Sequence, residues 1–98
     1  MVEIMSKRPK STPWKGGKRK DWLFESGYEL NAFKYPGSKG FDENKWEILI
    51  SFQGEPSDPH PALIENVLDD YIKYEVGRYG YFHDPDVDRI VKMIALLK

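Results

Sequence analysis

Between residues 46 and 53 the chain reads WEILISFQ, and this alternation limits the fold more than any other stretch. Trp46, Ile48, Ile50 and Phe52 fall on one side of a two-residue period, and Glu47, Leu49, Ser51 and Gln53 on the other. Period two is the repeat of a strand, so four large apolar side chains share one face and need a layer to cover them. Leu49 on the opposite side indicates that this face is partly covered too. Gly54 and Pro56 end the strand, because glycine frees the backbone and proline cannot donate to a ladder.

The residues that follow predict the covering layer. Ser57-Asp58-Pro59-His60-Pro61 carries a short oxygen-bearing side chain before proline, the pattern of a helix start. At about 100° per residue, Leu63, Ile64, Val67, Leu68, Tyr71, Ile72 and Tyr74 fill one half of a wheel. Glu65, Asn66, Asp69, Asp70 and Lys73 fill the other half, and Gly77 is a natural terminator. The spacing therefore predicts a helix over 59–75.

Upstream, 21–35 reads as a strand with an irregular entry. Trp22-Leu23-Phe24 is an apolar cluster, Gly27 breaks it, and Tyr28, Leu30 and Ala32 alternate with Glu29 and Asn31. At Phe33 and Tyr35 the pattern swaps faces, which predicts a bulge near Ala32. Pro36-Gly37-Ser38-Lys39-Gly40 is turn chemistry, so an antiparallel hairpin with the Trp46 strand is expected. Residues 78–83 are aromatic and glycine-punctuated, a candidate third strand. Asp84-Pro85 repeats the helix-start signal, and Val87, Ile90, Val91, Met93, Ile94 and Leu97 line a final helix opposite Asp88, Arg89 and Lys92. Leu96 falls on the polar side of that helix, a hint of burial or of a contact with another chain.

Together these elements predict an α+β two-layer sandwich. An antiparallel hairpin of two strands, with 78–83 as the third candidate, is packed by two amphipathic helices in the order β-β-α-(β)-α.

Length and composition suit one folded domain: 98 residues, 40% hydrophobic and 14% aromatic. With no cysteine, the chain has no disulfide framework, thiolate nucleophile or cysteine zinc site. No apolar run approaches the roughly 18 residues needed to cross a bilayer, and MVEIMSKRPK lacks the apolar core of a secretory signal. A cytoplasmic monomer or homodimer without a membrane partner is the expectation.

The net charge of −1 conceals an asymmetry. Residues 1–20 set seven basic side chains (Lys7, Arg8, Lys10, Lys15, Lys18, Arg19 and Lys20) against Glu3, which gives +6. With the whole chain at −1, residues 21–98 stand at −7. The reading is a flexible basic arm over 1–20 on an acidic globular domain over 21–98. Trp14 is the exception within the arm, an aromatic that either docks on the domain or stacks on a partner.

Three constellations could carry function. Arg78, Tyr79, Tyr81 and Phe82, with the acidic helix face of Glu65, Asp69 and Asp70, are enriched in the residue types of interface hot spots. They lead the reading: a small non-enzymatic binding or regulatory protein acting through a protein–protein surface. The simpler account of those aromatics is core and the loop above it.

The alternative is a nucleic-acid-binding accessory protein using residues 7–20. In it Lys15, Lys18, Arg19 and Lys20 neutralise phosphates while Trp14 and Trp22 stack on bases. The simpler account is a solubilising tail.

A second alternative places a metal-dependent hydrolase at His83 with Asp84, Asp86 and Asp88. Against it, the D-x-D-x-D spacing lacks the glycine and glutamate of a calcium loop. Three acids in a first helical turn also serve simply to complement the helix dipole. His60, between two prolines, reads as a surface residue, and Lys39 among glycines as a hairpin tip. No cofactor motif and no catalytic spacing is present.

Overall fold

The computed structural model describes residues 11–57, 68 and 71–96. Within them the chain forms seven strands and one α-helix. The strands are β1 (Thr12–Trp14), β2 (Gly17–Leu23), β3 (Tyr28–Lys34), β4 (Trp46–Phe52), β5 (Glu55–Pro56), β6 (Ile72–Glu75) and β7 (Arg78–Phe82). The helix, α1, is Asp84–Ala95. All neighbours pair antiparallel in the order β1-β2-β3-β4-β7-β6, with β5 beside β4.

This corrects the expected architecture. Among the described residues the chain is mostly sheet with one C-terminal helix, not a two-strand hairpin under two helices. The predicted helix over 59–75 fails at its C-terminal end, where Ile72–Glu75 is a strand. The rest of that span lies outside the described residues, apart from Leu68, which is buried, and Tyr71, whose N–H donates to the Leu68 carbonyl at 3.0 Å. Ile72, Tyr74 and Val76 are residue types that suit a pleated surface as well as a helix face.

Gly77 decides between the two. Its φ of 73° closes the turn from β6 into β7, and a Cβ there would sit 2.4 Å from the Ile50 carbonyl oxygen. Glycine lets this turn lie against β4, where the Ile50 N–H donates to the Gly77 carbonyl at 2.8 Å. The terminator signal was real, but it ends a strand rather than a helix.

The β3–β4 hairpin is as expected, with Leu30 opposite Ile50 and Ala32 opposite Ile48. Its register runs unbroken from Tyr28↔Phe52 to Phe33↔Glu47, so the bulge expected near Ala32 is absent. The face swap at Phe33 has another cause: the sheet is covered on both sides there. Ala32 is buried among the inner residues, and Phe33 is buried on the outer face beneath Trp14, ring centroids 6.2 Å apart.

The bulges lie elsewhere. The β4–β7 register slips between Trp46 and Ile48, and the β6–β7 register slips between Lys73 and Glu75. Tyr81, with φ of 73°, takes up the first slip.

The inner face packs Trp22, Leu30, Ile48, Ile50, Tyr79 and Phe82 against Val87, Ile90, Val91 and Ile94 of α1. Each such side chain contributes about 1.5–3 kcal/mol on burial. Tyr71 stacks on Phe82 at 3.9 Å between centroids. The helix begins one residue earlier than its sequence signal suggests: His83 is the N-cap, and the Asp86 carboxylate accepts from the His83 N–H at 3.1 Å. Leu96, just past the helix, is exposed. Among the described residues the meander β1–β4 meets the β6–β7 hairpin along a single ladder, β4–β7, and α1 packs on β3 and β7 to either side of β4. No helix among the described residues is long and apolar enough to cross a membrane.

Candidate functional site: a basic, aromatic hairpin

Residues 12–20, the C-terminal part of the basic segment, are β1 and the start of β2. Lys15 and Gly16 turn between them with φ of 47° and 82°, the two left-handed residues that a tight hairpin with matching twist requires. Because side chains alternate along β2, its cations are dealt to both faces of the sheet.

On the outer face Arg19 reaches Trp14 and Phe33. Its guanidinium carbon lies 4.4 Å from the Trp14 ring centre and 5.4 Å from that of Phe33. The Lys15 ammonium stands 5.5 Å from both the Trp14 and Tyr35 rings. Phe33 and Tyr35 meet edge to face, so three aromatic rings and two cations form one continuous strip. Asp21 holds Arg19 through two oxygens, at 2.7 and 3.1 Å, and fixes the guanidinium plane. Trp14 and Tyr35 are half-buried, which leaves part of each ring open to solvent. Cations of this kind over aromatic faces gain about 0.5–1 kcal/mol each at exposed sites.

On the inner face, at the same end of the sheet, Lys18, Lys20 and Lys34 converge on one indole. Their ammonium groups lie 5.7, 5.3 and 4.6 Å from the Trp46 ring centre. Register explains the convergence: Lys18 is paired directly with Lys34, and Lys20 sits two residues on. The Trp46 Nε1–H donates to the Asp84 carboxylate at the start of α1, and Lys34 donates to Asn44 Oδ1 at 3.2 Å. Burial lowers the Lys34 pKa, the Lys18 and Lys20 charges push the same way, and only Asp84 opposes them. The Trp46 hydrogen bond holds Asp84 below the usual carboxylate range against its own burial, helped by Lys34, Lys20 and Lys18.

The remaining candidates fall in different places. Tyr79 and Phe82 are in the core, Tyr81 is half-buried, and Arg78 pairs with the buried Glu47 at 3.0 Å. Glu65, Asp69 and Asp70 lie outside the described residues, as do His60 and the arm's Lys7, Arg8 and Lys10. His83, Asp84 and Asp86 are engaged at the helix start, and no metal-holding group of three or more His, Asp or Glu comes together among the described residues.

Trp14, Lys15, Lys18, Arg19 and Lys20 were readable from the local sequence. Lys34, Phe33, Tyr35 and Trp46 were not, because they join the site through strand pairing. The face swap at Phe33 was the available signal, and it marked a second covered face rather than a bulge. Comparison with protein-family models, curated proteins and solved structures finds no match for this chain.

Proposed function

We propose that this protein binds single-stranded nucleic acid along the outer face of the β1–β2 hairpin. The reading rests on one observation: the Trp14–Phe33–Tyr35 strip is interleaved with Lys15 and Arg19 on a rigid sheet. Half-open rings can stack on bases without sequence preference, and the adjoining cations meet the phosphates. Four basic residues within 15–20 concentrate positive charge at one end of a chain whose remainder is acidic, so a polyanion would approach hairpin-first. An extended strand needs no groove, only a platform of this kind.

Fluorescence anisotropy with a labelled single-stranded oligonucleotide, repeated across salt concentrations, tests the proposal. Binding should weaken steeply with salt, and Trp14→Ala should cost about 1–3 kcal/mol of affinity. Lys15→Gln should flatten the salt slope by about 0.7, the value for one phosphate contact on a single strand. No binding at low salt, or a slope and affinity unchanged in both variants, would refute it.

A further inference from the structure

We infer that Lys18, Lys20 and Lys34, gathered on Trp46, form a binding site for a phosphate monoester. This site lies on the opposite face of the hairpin and does not depend on the strand-binding reading above.

Three features carry the inference. First, the arrangement works against the stability of the fold. Lys18 and Lys34 stand directly opposite each other across an antiparallel ladder, where like charges repel. Second, the cations are under-compensated. One carboxylate, Asp84, is close enough to act on all three, and its hydrogen bonding is directed at Trp46. Neither Lys18 nor Lys20 makes an ion pair among the described residues. Third, one of the three is held in place: Lys34 is buried and hydrogen-bonded to Asn44, so the centre of the cluster is preorganised.

Apolar contact explains why lysine stems lie across an indole, since such stems commonly cover apolar surface. It does not explain why three heads gather where one would suffice. Among the described residues, three ammonium groups against one carboxylate leave two positive charges to be matched. A phosphate monoester carries about −1.5 to −2 at neutral pH, whereas a backbone phosphodiester carries a single charge. The charge therefore favours a terminal or monoester phosphate, on a strand end or on a small phosphorylated molecule.

The test follows thermal unfolding with inorganic phosphate as the probe, at pH about 8 where the dianion dominates, against chloride at matched ionic strength. A ligand bound only by the folded state raises Tm with its concentration and saturates. The wild-type protein should show a saturable rise. Lys18→Gln/Lys20→Gln should melt higher than wild type in chloride, because repulsion is relieved, and should lose the saturable phosphate rise. Phosphorus NMR titration reads the same binding without relying on unfolding.

No saturable rise in the wild-type protein, or an equal rise in the double variant, would overturn the site. Trp14→Ala should keep the phosphate rise while weakening strand binding, so the two proposals fail separately. Oligonucleotides with a terminal phosphate or a terminal hydroxyl then assign the source. Tighter, lysine-dependent binding of the phosphorylated strand upholds the site as a strand-end pocket. Equal binding of the two, with the phosphate rise intact, upholds it as a site for a small phosphorylated molecule.

Discussion

Tyr74 shows how much one side chain can report. Its ring lies against Gly80, where a Cβ would come within 2.7 Å of it, and its centre stands 6.4 Å from that of the Tyr81 ring. Burial first, and then the neighbouring Tyr81, push its pKa up to about 12. A tyrosine raised in the folded state adds stability that is complete below the unfolded value near 10 and is lost as pH climbs toward 12. Phenolate absorbance should therefore show a late step, and Tyr74→Phe should remove it. The absence of a late step in the wild-type protein would contradict this account of Tyr74. The pair was not legible beforehand, because it exists only through two register slips that bring the rings to 6.4 Å.

Among the elements, α1 is the clearest test of packing. Ile90 is fully buried while Leu96, one residue past the helix, is 78% exposed. Ile90→Ala should cost about 2–5 kcal/mol, whereas Leu96→Ala should stay within about 0.5 kcal/mol. Denaturant unfolding measures both, and similar losses would displace the helix from the sheet. This helix and β4 were legible in the sequence because their apolar residues repeat at one period and face one side. The strands β1 and β2 were not, because the inward positions of β2 near the turn hold Lys18 and Lys20 rather than apolar residues. Pattern reading took their charge for solvation, when their stems lie over Trp46. The segment 71–76 misled for the opposite reason. Its apolar residues satisfy a helical wheel, and only the contact of the Gly77 turn with β4 selects the strand.

For the molecule as a whole, charge and topology have separate consequences. Charge is polarised, with the basic hairpin at one end of a sheet whose other strands belong to the acidic part of the chain. Among the described residues, the β4–β7 seam is the one place where strand pairing joins residues far apart in the chain, Trp46 with Phe82 and Ile48 with Tyr79. The β1–β2, β2–β3, β3–β4 and β6–β7 pairs are local hairpins, whose loops close at little entropic cost. Order of assembly follows from that contrast: the local hairpins gain their contacts early, and the seam gains its contacts last. In stopped-flow measurements Phe82→Leu, at the seam, should mainly speed unfolding, while Leu30→Ala, in the meander, should slow refolding. The reverse pattern would mean that the distant partners find each other first. On the expected pattern, the time this protein spends folded before it next opens is set by how long one ladder holds.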